Sequence, residues 1–199
     1  MMIMSKAERT KQFIIEKTAP IFNAKGYVGT SMNDIMNATG LTKGSIYGNF
    51  ENKDEVALAA FDQNYNTIVA YLRKQIQVRP NMIDRLLVYP ETYSVFLDLP
   101  FLKAGCPILN TSVEADDTHP LLRAKAVTAL KFWKTAIEKS ITTGIERNEI
   151  KATTNANEFS FILMSLIEGA MMQAKVTGNS EVLKVTMNYL EKMIKDLKA

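Results

Sequence analysis

Residues 31–50 read SMNDIMNATGLTKGSIYGNF. Ser31 followed three residues later by Asp34 has the form of a capping box, with Asp in place of the usual Glu or Gln. It predicts a short helix over 32–38. Gly40 suits the C-terminal stop of that helix. Thr42 is the next N-cap and opens a second short helix that runs to Phe50. Ile35, Leu41, Ile46 and Phe50 fall where they pack inward, while Thr42, Lys43, Ser45 and Tyr47 face outward. A short helix, a glycine turn and a second short helix are the parts of a helix-turn-helix in their usual order. The outward residues are small or slender enough to enter a DNA major groove about 12 Å wide. Gly44 is a poor helix former, so its place inside the second helix predicts a packing or approach reason, such as another backbone lying close. Three packed helices with a polar surface give the same pattern, which leaves the two readings level.

Working outward, a first helix starts at the N-cap Ser5 and runs to Ala24 or Lys25, with Gly26 as its stop. Thr30 and Ser31 stand at a helix N-terminus, whose free N–H groups suit phosphate oxygens. Lys53, just past the second short helix, is placed to hold a phosphate. Charge supports this division. Residues 1–50 hold six Lys/Arg against three Asp/Glu, whereas 51–199 hold 18 of each. The whole excess of +3 therefore lies in the first quarter of the chain, a basic head on a neutral body. Solvated termini often carry as much, so charge alone decides little.

The rest reads as all helix. The nine glycines and six prolines mostly punctuate periodic stretches, and no long alternation of β-branched and polar residues appears. Helices are expected from about Asn52 to Pro80, over 82–94 with Pro90 kinking or shortening it, from Pro107 to about Glu114, over 121–145, from Asn155 to about Thr177, and over 181–195. Phe96 to Ala104 is expected as loop, and His119 as a turn or cap residue. The division is a helix-turn-helix DNA-binding domain over 1–50 and a helical regulatory and dimerisation domain over 51–199.

Composition removes several function classes. Hydrophobic residues make up 47% and charged residues 23%, ordinary for a globular chain. One cysteine leaves no intrachain disulfide and no cysteine-clustered metal site, and one histidine leaves no paired-histidine metalloprotease motif. No metal, cofactor or catalytic group is expected, since no nucleophile–base or paired-carboxylate spacing is present and Glu114, Asp116 and Asp117 read as an acidic turn. No uncharged apolar run of about 18 residues is present, so no membrane span is expected. The MMIM start turns polar at Ser5, too short an apolar core for a secretory signal, so the expected compartment is the cytoplasm.

Gly26-Tyr27, Thr30-Ser31-Met32 and Asp34-Ile35, then Gly40-Leu41, Lys43-Gly44-Ser45-Ile46-Tyr47, Phe50 and Lys53-Asp54, resemble the N-terminal domain of the TetR family of bacterial transcriptional regulators. The resemblance spans about residues 10 to 60. It implies an all-helical homodimer in which the first three helices bind an operator in double-stranded DNA. The middle helices then enclose a ligand cavity, and the last two form the dimer interface. Such proteins are usually repressors released from a palindromic operator by a small molecule. Asn49 departs from the histidine or tyrosine often found there, though an asparagine also donates to phosphate. Gly105-Cys106-Pro107-Ile108-Leu109-Asn110 with Glu114, and Glu168-Gly169-Ala170 with Gln173-Ala174-Lys175, resemble a subfamily with a Gly-Cys motif. Some members of that branch respond to electrophiles or oxidants through cysteine, and others bind apolar or aromatic compounds.

Within the body, Cys106 precedes a helix, where unpaired N–H groups lower a thiol's pKa, and Lys175 is a candidate to assist it as a sensor. A buried cysteine packing as a small hydrophobe is the commoner state. Met82, Leu86, Tyr89, Tyr93, Phe96, Phe101, Phe132 and Trp133 are candidates to line a pocket for a small apolar or electrophilic effector. Their helical spacing makes core packing the commoner role for most of them. The 155–177 helix is apolar on more than one face, and Phe161, Met164, Met171 and Met172 would be left exposed on a monomer. Residues 155–195 are accordingly the expected homodimer surface. An adaptor that binds only protein, and an enzyme on a helical scaffold, are the competing classes.

Overall fold

The first helix is set by its cap. In the computed structural model, which describes residues 5–199, the Ser5 Oγ accepts the Glu8 N–H at 3.2 Å and the Glu8 carboxylate accepts the Ser5 N–H at 2.6 Å. This capping box opens α1 (Lys6–Gly29). Helical geometry is interrupted at Gly26, whose φ of 73° is the left-handed conformation expected of a glycine stop. The Met1–Met4 stretch read for a leader lies outside the described residues.

The expected caps recur. Ser31 and Asp34 form a full capping box at α2 (Met32–Thr39), which ends on Gly40 at φ 69°. Thr42 Oγ accepts the Ser45 N–H at 3.2 Å and opens α3 (Lys43–Tyr47). That helix stops three residues short of Phe50, because Gly48 and Asn49 turn back through hydrogen bonds to Gly44 and Ile46. Asn52 Oδ1 accepts the Glu55 N–H at the start of α4 (Lys53–Gln77). Asn81 caps α5 (Met82–Ser94), which runs through Pro90 without a break where a kink or shortening was expected. The Pro90 ring is buried, so packing offsets the missing hydrogen bond.

The segment expected as loop contains a 3-10 turn at Phe96–Asp98. Then follow α6 (Pro107–Ala115), α7 (Pro120–Glu146), α8 (Ala156–Thr177) and α9 (Glu181–Lys195). His119 is the cap expected of it, its Nδ1 accepting the Leu122 N–H at 3.3 Å. No strand occurs among the described residues.

The chain divides into two compact units. One comprises Met1–Thr67 and Pro107–Val127. In it α1, α2 and α3 pack through Ile14, Ile35, Ile46 and Phe50, all essentially inaccessible, and α6 packs on α1. The other comprises Ile68–Cys106 and Thr128–Ala199, where α9 packs on α5 and α8 around Leu86, Leu163, Ile167, Leu190 and Ile194. By length and composition α8 is apolar enough to cross a membrane, although Glu158, Glu168 and Lys175 interrupt any uncharged run along it. Its buried face meets α9 and α5, so packing accounts for much of that apolarity.

Candidate nucleic-acid interface and buried regulatory core

The outer face of α3 is built on a pinned inner face. Ile46 is fully buried, while Thr42, Lys43, Gly44 and Tyr47 are exposed and Ser45 is half-buried. A Cβ on Gly44 would meet nothing within 4 Å. No contact inside the described residues supplies the reason for this glycine, and its small size faces open space. Lys43 Nζ lies 5.8 Å from the centre of the Tyr47 ring, so the two side chains form one cationic, aromatic edge. Thr42 uses its oxygen on Ser45 N–H and retains its hydroxyl proton for an outside acceptor. One amide N–H of Asn49 is held by the Ser45 carbonyl at 2.9 Å, leaving the other to donate. Lys53 Nζ sits 4.3 Å above the Tyr27 ring, which fixes where its charge stands.

Thr30 and Ser31, the two expected phosphate contacts, both have partners inside the head. Thr30 is fully buried, and its hydroxyl donates to the Gly26 carbonyl at 2.6 Å. It closes the turn after α1 and offers no side chain to a ligand. Ser31 is exposed, but its N–H and hydroxyl both donate to Asp34 Oδ2, at 2.8 and 2.6 Å. Asp34 in turn pairs with Lys25 at 2.6 Å. Those hydrogen bonds, led by the one from Lys25, hold the Asp34 carboxyl far below its ordinary value. Lys11 is likewise committed to Glu55 at 2.8 Å. Among the described residues Lys6, Arg9 and Lys43 make no ion pair and keep their charge for a partner.

Behind the reading head, α6 is tied to the last turn of α1, just past the Gly26 break. The Glu114 carboxylate accepts the N–H groups of Tyr27 and Val28 at 2.7 and 2.8 Å. The Asn110 amide donates to the backbone and side-chain oxygens of Asn23, both at 3.0 Å. Tyr27 donates its hydroxyl to Asp54, and that bond, with burial second, raises its phenol to about 12. His119 packs edge-on against the same ring at 4.5 Å. Glu114 was expected in an acidic turn. Its role could not be read from spacing because its partners are backbone N–H groups 87 and 86 residues away.

In the second unit Leu86, Tyr89, Tyr93, Phe96 and Trp133 are buried. The Trp133 ring lies 6.0 Å from Tyr93 and 6.3 Å from Tyr89, centre to centre. Three other pocket candidates are placed elsewhere. Phe132 is half exposed, as the residue beside an inward Trp133 on a helix must be. Met82 is buried against Gly144, and Phe101 packs on Tyr71 at 5.1 Å. Cys106 is 2% exposed. Lys175 reaches the turn ahead of Cys106 but donates its ammonium to the Ala104 carbonyl. Glu168, a residue of the Gly-Cys resemblance, has both carboxylate oxygens sealed in this core. On α8 and α9, Phe161, Met172, Val176, Val185 and Tyr189 are exposed, whereas Met164 and Met171, expected with them, are buried.

Residues 14–60 match the family model described as bacterial regulatory proteins, tetR family, and residues 82–190 match the tetracyclin repressor-like C-terminal domain. The chain belongs to the TetR family. A TetR-family regulator from Cytophaga hutchinsonii is 40% identical, superposes with a TM-score of 0.92, and is covered over 99% of its length by the whole of this chain. One from Chloroflexus aurantiacus is 33% identical, with 98% of each chain covered and a TM-score of 0.92. The transcriptional repressor DhaR of Mycobacterium sp. is 27% identical over 87% of this chain and 86% of its own. As a TetR-family member the chain is a helix-turn-helix transcriptional regulator. Proteins of this family bind DNA operators and act as dimers, and they are regulators rather than enzymes.

Proposed function

We propose that this protein is a repressor that binds a pseudo-palindromic operator as a homodimer and is released by a small effector. The observation that carries the reading is the outer face of α3, where Lys43, Gly44 and Tyr47 stand exposed over a fully buried Ile46. Lys43, Lys53, Thr42 and Asn49 then hold phosphates, Gly44 lets backbone and DNA approach, and Ser45 and Tyr47 read base edges. Residues 1–50 act as the DNA-binding domain, and 51–199 as the regulatory and dimerisation domain. The exposed apolar residues of α8 and α9 support a dimer through 155–195, since so much apolar surface is costly on a monomer. A dimer sets two α3 helices on half-sites about one DNA turn apart, or a multiple of that.

The effector acts in the cytoplasm and binds the buried aromatic core of 51–199, in the branch with the Gly105–Cys106 pair. A reversible ligand is favoured over oxidation or alkylation of Cys106, because that thiol is buried and Lys175 is engaged by Ala104. The test is a footprint on DNA flanking the protein's own gene, followed by a genome-wide selection of bound fragments. The expected result is protection of a pseudo-palindrome. No protected site in either experiment overturns the reading and leaves a protein-binding adaptor. Cys106→Ser separates the two switches, since a ligand-released repressor keeps its response and a thiol-switched one loses it.

A further inference from the structure

Two polar side chains described in the second unit are buried with incomplete hydrogen bonding, Glu168 being answered only by the Cys106 thiol and Trp133 by no acceptor. No N–H or O–H donor reaches either oxygen of Glu168 on α8, and the indole N–H of Trp133 on α7 has no acceptor. Buried polar groups are nearly always paired, because each unpaired one costs its full desolvation. Two in one core therefore point to an occupant.

Tyr93 links them. Its ring lies 6.0 Å from Trp133, and its phenol is pushed well above the ordinary value, first by burial and then by the charges of Cys106 and Glu168. Tyr89 adds a further aromatic ring beside Trp133, 6.3 Å away. The Cys106 thiol is the polar neighbour of Glu168 and only a weak donor. The surroundings thus combine a carboxylate with aromatic rings, and among the described residues no cation pairs with it. An ionised carboxylate held out of water needs a positive partner. Aromatic faces attract the same partner through their quadrupoles.

We propose that Glu168, Trp133, Tyr93 and Tyr89 form the effector site and that it takes a lipophilic organic ammonium. The ammonium head sits on the Glu168 carboxylate and the apolar body lies against the three rings. An ether, hydroxyl or carbonyl oxygen in the same molecule answers the Trp133 N–H. This assignment rests on the effector-released reading above and names its effector's chemistry.

Binding of a cation is linked to protons. Burial raises the Glu168 carboxyl to about 7, with the Cys106 thiol lowering it by less. The titratable groups that face it are Cys106 and Tyr93, and no charged side chain of α7 or α9 contributes to its shift. A bound ammonium selects the ionised carboxylate, so it expels a proton and binds more tightly as pH rises. Affinity should climb about tenfold between pH 6 and pH 8.

Trp133 is the only tryptophan in the chain, so intrinsic fluorescence reports this site alone. The experiment titrates the full chain with benzyltrimethylammonium and with its uncharged carbon isostere, neopentylbenzene, free and on footprinted operator DNA. The expected result is saturable change in Trp133 emission, at least tenfold tighter for the ammonium, rising with pH and accompanied by operator release. Glu168→Gln, shown folded by its thermal melt, should lose at least tenfold in ammonium affinity while retaining the isostere. Equal affinity for the two probes, or a flat pH profile, overturns the assignment in favour of an apolar pocket, and the wild-type pH profile decides even if the variant does not fold. Absence of binding by either probe also overturns it, and operator binding by the same sample leaves the repressor reading intact. Failure of the wild-type protein to bind any operator falls on the repressor reading instead.

Discussion

The Glu114 carboxylate accepts the backbone N–H of Tyr27 at 2.7 Å and, with its other oxygen, that of Val28 at 2.8 Å. One side chain of α6 thus holds the last turn of α1, past the Gly26 break, from which the chain enters α2. A Cβ on Gly26 would overlap that carboxylate, and the φ of 73° there is strained for any other residue. Charge-assisted bonds are worth about 1.5–3 kcal/mol each, less where half exposed. Glu114→Ala should therefore cost about 2 kcal/mol, a fall in Tm of about 4–8 °C for a chain of this size. Gly26→Ala should cost at least as much, because it adds strain to the same loss. Thermal melts of both variants check this, and an unchanged Tm in Glu114→Ala would remove the carboxylate from the turn's stability.

Gly44→Ala separates a structural glycine from an interfacial one. Nothing within 4 Å opposes a Cβ there, and alanine is the better helix former by about 1 kcal/mol. Stability should hold or rise slightly. Operator affinity should fall at least tenfold, because the methyl group would stand between backbone and DNA. Stability and gel-shift measurements on one preparation check both halves, and full operator affinity would place Gly44 away from the DNA.

Salt dependence sorts the remaining contacts. Lys43→Ala should lower the slope of log affinity against log salt by about 1, on operator and random DNA alike. Lys53→Ala should do the same. Ser45→Ala and Tyr47→Ala should leave the slope in place and cost more on the operator than on random DNA. Equal losses on both DNAs would make these two residues scaffolding.

Local chemistry explains what was legible in advance. The caps at Ser5, Ser31 and Thr42 and the glycine stops at Gly26 and Gly40 all act within about four residues, so sequence order displays them. The motif at 31–50 was readable for that reason. The internal partners of Thr30 and Ser31 are less legible, because the same capping chemistry engages groups that sequence order alone leaves open to DNA. Phe132 was assigned inward because adjacent aromatics carry no mark of which faces the core, and Trp133 took that face. Glu114 and Glu168 act through contacts made only on folding. A glutamate in a helix reads as solvated until its neighbours are known.

The dimer surface has a direct test. Phe161 on α8 and Tyr189 on α9 are 54% and 59% exposed, so neither holds the core of one chain together. Phe161→Glu with Tyr189→Glu should leave the melt of the monomer unit nearly unchanged. It should shift sedimentation from dimer to monomer and abolish tight binding to a two-half-site operator. A dimer that persists in the double variant would move the interface off these faces.

Glu168 makes stability depend on pH in a direction opposite to that of a salt-bridged carboxylate. Its folded value of about 7 lies above the ordinary value of 4.5, with burial as the main cause and the Cys106 thiol acting weakly against it. Below the lower value both folded and unfolded chains hold the proton and nothing is lost. As pH rises the unfolded chain ionises first, so stability falls through the interval and the loss is complete once the folded carboxyl has ionised. Glu168→Gln has no proton to lose and should escape this decline. The variant's advantage over wild type should grow by about 2 kcal/mol between pH 5 and pH 8, which denaturant melts at the two pH values resolve. A constant difference across that range would mean that Glu168 is ionised at no extra cost, with its buried oxygens already satisfied.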